Sequence, residues 1–325
     1  GKKRREDERC AGAAERAACP RASAAKREGA TDSGTGLSAT VPYAQTRSPL
    51  AAPMRYAHPA VLLFVLAALG GALAPASAQP TRTVTRSATL APDGHVEMDT
   101  FTGSVRITGW DRDRVEMEAR IEGDDQDLVD KTALRIEAEP RRFAVEVDYD
   151  EVKDSQKFLG LIKIGNIDQP AVHITLKMPR TAGLTLDDFS SEVTVEGLRS
   201  GASLETFSST IVLRDIDGPL NLETFSGEIE GEDLRGRVQL ETFSGDVRLR
   251  MAVLTGNSRF ETFSGDVELT LPAEAAFELV GEDDAFGELD SAFALRSDDG
   301  RRVAGEGGPR IELDTFSGDF RLRKP

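Results

Sequence analysis

Cysteine is almost missing: 325 residues hold two, Cys10 and Cys19, both near the start. Everything after them must stand on core packing and backbone pairing, without disulfides or thiolate metal sites. Histidine is nearly as scarce, and His58, His95 and His173 are isolated from one another in sequence. No Gly-x-Ser-x-Gly elbow, His-Glu-x-x-His pair or phosphate-binding loop occurs, so the familiar hydrolase and nucleotide chemistries have no motif to rest on. Positive charge is also short. Beyond residue 78 there are 29 basic residues against 50 acidic ones, a net charge of −21. That balance repels nucleic acid and anionic headgroups.

Long apolar runs are limited to one. Residues 1–53 are rich in Ala, Arg and Ser with no helical or strand period, and read as a disordered or untranslated upstream segment. Met54 then opens MRYAHPAVLLFVLAALGGALAPASAQP. Arg55 gives a small positive start, Val61 to Leu69 an apolar core, and Ala76-Ser77-Ala78 a small-residue cleavage site. That core falls short of the ~20 residues that span a bilayer. Residues 54–78 therefore read as a signal peptide, and the mature chain as exported, periplasmic or cell-surface, with no membrane span.

What the sequence has in abundance is a repeat. LDDFSSEV, LETFSSTI, LETFSGEI, LETFSGDV, FETFSGDV and LDTFSGDF follow one another, and MDTFTGSV matches near the front. Their phenylalanines are Phe101, Phe189, Phe207, Phe225, Phe243, Phe263 and Phe316, with steps of 18, 18, 18 and 20 residues from Phe189 to Phe263. The final step of 53 is close to three coils, with EDDAFGEL around Phe286 as a degraded copy. Eighteen residues are too few for a βαβ unit but suit one turn of a solenoid. Apolar columns recur three residues before each Phe (Leu186, Leu204, Leu222), four after (Val193, Ile211, Ile229) and six after (Val195, Leu213, Leu249), with Gly231 an exception. A corner column stands nine after: Trp110, Leu198, Ile216 and Leu234. The pattern predicts an all-β parallel solenoid of about 18–20 residues per coil over 182–325. Residues 79–181 are then a first coil (82–110) plus an irregular β-rich cap with one short helix starting near Asp124 or Asp125. FAVEVDY and AVHITLKMP alternate as half-buried strands, and the segment between them reads as a long loop.

Two residues before each Phe stands an acid: Asp99, Asp187, Glu205, Glu223, Glu241, Glu261 and Asp314. Stacked at a strand spacing of about 4.8 Å, neighbouring carboxylates repel by about 1 kcal/mol in water and more near a low-dielectric interior. Such a column must face solvent. Residues two apart on an unbroken strand share a face, so Phe is carried outward while the Leu, Thr and Ser columns face in. The chain must then bend at Ser-Gly. A bend one step earlier would instead turn Phe into a core ladder. The outward reading makes Phe189, Phe207, Phe225, Phe243, Phe263 and Phe316, with Glu205, Glu223, Glu241, Glu261 and Asp314, a binding ribbon.

No catalytic residue, metal site or cofactor is read. Asp124, Asp125 and Asp127 lack a calcium-loop register, and Asp93, His95 and Asp99 read as strand and turn residues. Polysaccharide lyases and hydrolases built on β-helices are the enzymatic alternative. They need unlike carboxylates at one place, whereas here the acids recur evenly. The repeated T-F-S-G-D-V, the entry LKMPRTAGLTLDDFSSEVTVEG and the ending GGPRIELDTFSGDFRLRKP resemble the bacterial putative-adhesin family of β-strand-repeat envelope proteins. The resemblance covers roughly residues 83–325 and implies an exported, non-catalytic β-solenoid. Its partner would be an unknown envelope protein or glycan. The chain departs from the family's pattern by keeping Phe at the free position and by placing Ser191 and Ser209 where Gly is usual.

Overall fold

The structure, a computed structural model, describes residues 79–152, 169–281, 289–298 and 300–325. The expectations for residues 1–53 and 54–78, for most of the loop before AVHITLKMP and for the Phe286 copy lie outside them. β1 (Thr81–Thr89), β2 (His95–Trp110) and β3 (Arg114–Glu122) lead to a short helix, α1 (Gln126–Lys131). β4 (Ala133–Glu139), β5 (Arg142–Asp148) and β6 (Ala171–Pro179) follow. Then come β7 (Gly183–Glu196), β8 (Ala202–Ser208), β9 (Thr210–Arg214), β10 (Leu220–Ser226), β11 (Ile229–Gly236), β12 (Val238–Ser244), β13 (Val247–Leu254), β14 (Ser258–Ser264) and β15 (Val267–Thr270). The chain closes with β16 (Phe277–Val280), β17 (Leu289–Ser291), β18 (Leu295–Asp298), β19 (Arg301–Ala304), β20 (Arg310–Ser317) and β21 (Phe320–Arg323).

The fold is the expected parallel β-solenoid. On one face the front half of β2 pairs in parallel with β7, then β8, β10, β12, β14 and β20. On the adjoining face the back half of β2 is followed by the back half of β7, then β9, β11, β13, β15 and β21. Register is kept coil after coil, as in Leu204↔Leu222↔Leu240↔Phe260↔Leu313. Leu186, Ile211, Leu213, Ile229, Val247 and Leu269 are buried, as are the corner residues Leu198, Ile216 and Leu234. At Gly231 a Cβ would lie 2.6 Å from a Leu234 methyl and 2.7 Å from one of Leu249, so the gap in that column is already filled by its neighbours.

The front cap differs from the expectation in extent. β1 is not part of a coil: it runs antiparallel to β3, which runs antiparallel to β6, and β6 lies parallel on the back half of β2. The first coil is therefore β2 alone. Trp110 also leaves the corner column. Its indole N–H donates to the Arg114 carbonyl at 2.9 Å and Arg112 stacks 4.8 Å from the ring, while the neighbouring Gly109 takes the buried place. The helix starts where the aspartates put it, with Asp125 as N-cap accepting from the Asp127 N–H at 2.9 Å.

The far end corrects the sequence reading more deeply. The 53-residue step from Phe263 to Phe316 is one coil in space, not three: β14 pairs directly with β20, and β15 with β21. The intervening chain folds beyond them, with β16 parallel to β20 on its outer side, β17 parallel to β21, and β19 and β18 added antiparallel. The C-terminal coil is thus inserted between a coil that precedes it by about 50 residues and the cap that was written just before it. Adjacency along the chain is the commoner arrangement, which is why counting periods misplaced this segment.

Candidate functional site: an exposed phenylalanine ladder

The acid column pairs in register, Asp99↔Asp187↔Glu205↔Glu223↔Glu241↔Glu261↔Asp314. It faces solvent as the repulsion between stacked carboxylates requires. The phenylalanines stand on the same face: Phe189, Phe207, Phe225, Phe243 and Phe263 are 43–47% exposed, Phe101 36% and Phe316 78%. Their rings form an unbroken stack. Successive centroids lie 4.6–4.9 Å apart and successive planes within 6° of parallel. Each ring thereby covers its neighbours' faces and shows solvent mainly its edge. An open groove runs between the rings and the carboxylates and is floored by Thr206, Thr224, Thr242 and Thr262.

The threonine column is buried, as the parity of the strand demands, but the serine column is not. Ser190, Ser226, Ser244 and Ser264 are half-buried and Ser208 and Ser317 exposed, because the chain turns at Phe-Ser-Gly and lifts them onto the corner. The turn uses backbone that favours glycine: Gly245 has φ +154°, and a Cβ there would sit 1.9 Å from the Gly227 carbonyl oxygen.

Ser191 and Ser209, which replace glycine, have a separate reason. In the coil of Ser191, Asp188 replaces the buried threonine, and Ser209 stands in the next coil. Its carboxyl accepts from the hydroxyls of Thr100 at 2.6 Å, Ser191 at 2.7 Å and Ser209 at 2.6 Å. The two departures from the repeat thus answer each other. Sequence reasoning noted the serines but not Asp188, although LDDFSS followed by FSS carries the signal.

The ladder has unlike ends. Tyr149, buried just after β5, packs edge-on against Phe101 at 5.8 Å and donates its hydroxyl to the Pro170 carbonyl at 2.9 Å. Burial, and secondarily the charge of Asp188, push that hydroxyl's pKa well above its usual value. Glu146 of β5 extends the acid column past Asp99. Burial, then the neighbouring Asp187, Glu146 and Asp188, hold the Asp99 carboxyl above the usual carboxylate range. Neither Tyr149 nor Glu146 lies in a repeat copy, so no periodicity pointed to them. At the other end the outer face of Phe316 is open.

The remaining acids considered for metal have other partners. Asp93 accepts from Arg141 at 2.6 Å and His95 hydrogen-bonds Thr185 at 3.0 Å. Asp124 accepts from Gln79 at 3.0 Å, and Asp127 pairs with Lys131. Among the described residues no group of three or more His, Cys, Asp or Glu could hold a metal ion. No helix of the described residues is long and apolar enough to cross a membrane.

In-register columns, a bend in each coil and a capped front end define the class: a parallel β-solenoid carrying an external aromatic stack. Residues 165–323 match the family Toastrack DUF4097. Among solved structures, a putative cell adhesion protein from Clostridium sporogenes is 9% identical with a TM-score of 0.33, covering 75% of this chain and 100% of that one. A putative adhesin from Bacteroides fragilis is 11% identical with a TM-score of 0.33 (75% and 97% covered). A putative lipid binding protein from Parabacteroides distasonis is 9% identical with a TM-score of 0.25 (74% and 96% covered). No curated protein matches the chain.

Proposed function

We propose that the chain is an exported, non-catalytic solenoid, an adhesive or scaffolding element of the bacterial envelope that binds through its Phe and carboxylate face. The observation that carries this reading is the ladder itself. Seven aromatic rings held in register at the surface are an apolar strip that a soluble protein rarely leaves open without a use. Export is supported by the pattern of residues 54–78, and the Toastrack match is consistent with the adhesin resemblance of the repeat.

The enzymatic alternative finds little support in the same geometry. Acid–base catalysis on a glycan needs carboxylates whose surroundings separate their pKa values at one place. Here carboxylates recur in register coil after coil, and Glu205, Glu223 and Glu241 stand in like, solvent-exposed surroundings.

The test is a glycan array and an envelope-extract pull-down with wild type and the Phe225→Ser/Phe243→Ser variant, each checked for folding by circular dichroism. Binding lost with the fold retained is expected. Binding that survives in the folded variant overturns the ribbon, and turnover of any polysaccharide by purified protein overturns the non-catalytic reading.

A further inference from the structure

Resting on the ladder as a contact surface, we infer its occupant: a cationic amphipathic α-helix laid along the solenoid axis. The ring geometry comes first. Sugars and cations engage the faces of aromatic rings, and here the faces are turned to one another at 4.6–4.9 Å, leaving edges. A strip of ring edges is an aliphatic-binding surface, so the partner must supply a row of apolar side chains.

Charge then says how that row is flanked. On one side of the strip Glu205, Glu223 and Glu241 are exposed at the strand spacing, with no ion pair among the described residues. On the other side four of the five acids are already answered: Arg248 pairs with Glu228 and Asp246, and Arg321 with Asp266 and Asp319, leaving Glu192. Uncompensated negative charge is therefore concentrated on one flank. The complementary ligand carries an apolar stripe with Lys or Arg along one side, which is the surface of a cationic amphipathic helix. The same carboxylates repel an anionic lipid surface.

Backbone chemistry selects helix over strand. An extended peptide lying on ring edges would leave its own N–H and C=O groups against an apolar surface, whereas a helix satisfies them internally. Length fits as well. Six ring steps give about 29 Å, the length of a helix of about 19 residues at a rise of ~1.5 Å. The helical pitch of ~5.4 Å does not match the ring spacing. At this spacing, however, the edges form a nearly continuous strip, so contact needs no register and the surface will accept varied sequences. Tyr149 closes the strip at one end.

The experiment titrates fluorescently labelled Lys/Leu amphipathic peptides of about 19 and about 9 residues, and a Glu/Leu counterpart, into the full chain. The long Lys peptide should bind, the short one more weakly, and the Glu peptide not at all. Binding should fall roughly tenfold or more with Glu205→Gln/Glu223→Gln/Glu241→Gln, and likewise with Phe225→Ser/Phe243→Ser, and weaken as salt rises. A control of equal charge change, Glu118→Gln/Glu139→Gln/Glu196→Gln, should leave it near wild type. Equal affinity for Lys and Glu peptides, or equal loss in the control, overturns the inference. If a glycan or envelope protein binds through the phenylalanines while no helix does, this inference fails and the broader binding role stands. If nothing binding the wild type responds to the Phe substitutions, both fail.

Discussion

Single residues show most directly how departures from a repeat are compensated. Asp188 sits in a column of threonines and takes three hydroxyl hydrogen bonds, two of them from serines at glycine positions. Asp188→Ala leaves those three hydroxyl donors without their acceptor in the interior and should cost about 2–4 kcal/mol, read from denaturant unfolding. Asp188→Thr/Ser191→Gly/Ser209→Gly rewrites the coil as its neighbours are written and should recover most of that loss. A triple variant no better than Asp188→Ala would show that the cluster does more than repair the column. Asp215 is a milder case. It holds a left-handed backbone (φ 49°) that Asp and Asn tolerate, and its carboxylate accepts from Arg199 at 2.6 Å and Arg235 at 3.3 Å. Those hydrogen bonds, Arg199's first, hold its pKa below the ordinary 3.8. A lowered native pKa means stability that is present above the ordinary value and lost as pH falls through the native one. The pair is partly solvated, so Asp215→Asn should cost less than about 1 kcal/mol at neutral pH. The difference from wild type should disappear in strong acid.

At the scale of the coil, the argument runs from electrostatics to aromatic exposure. Stacked carboxylates must be solvated, and strand parity brings Phe out with them, so this much of the site was legible in the octet. The serines were misplaced because parity holds only while the strand is unbroken, and the bend begins at the Phe itself. The corner glycines predict their own intolerance. Gly245→Ala places a methyl 1.9 Å from the carbonyl of the coil before it at φ +154°. It should cost more than about 2 kcal/mol, since both the clash and the backbone must be relieved. The stacked rings cost less to remove. Phe225 meets a ring on each side at 4.9 and 4.8 Å. Its replacement by Ser should lower stability by only about 1–3 kcal/mol, at about 0.5–1.5 per stacked pair. A variant that unfolds outright would mean that the ladder serves chiefly as core, whatever its exposure.

For the molecule as a whole, the order of strands in space departs from the order in sequence at both ends. β2 lies between β7 and the later-written β5 and β6. The C-terminal coil lies inside the cap written before it, which decides how the solenoid ends. Periodicity revealed the coils and their columns, but it records only separations along the chain. Nothing in LDTFSGDF marks it as the neighbour of FETFSGDV rather than of the segment just before it, because every copy offers the same pairing edge. The selection is made by what must lie outermost. β16 and β17 are short, and β19 and β18 pair antiparallel beside β16, giving a terminus that does not propagate the parallel stack. Exposed regular edges pair with other chains, so an irregular outer layer protects the end. The C-terminal coil, which has full-length edges on both sides, is held within. It follows that β20 and β21 tie the cap to the stack: each contributes a parallel pairing inward and another outward. Deleting residues 310–325 removes Ile311, Leu313, Phe320 and Leu322 from the core and uncovers the edges of β14 and β15. The truncated chain should lose order in the cap and self-associate in size-exclusion chromatography, while amide protection persists in the coils from β7 to β12. A synthetic peptide of residues 308–325 added in trans should restore the monomer-like elution, since the slot it fills is specified by register on both sides. A monomeric truncation with the cap still protected would show that the terminal layer stands without the inserted coil.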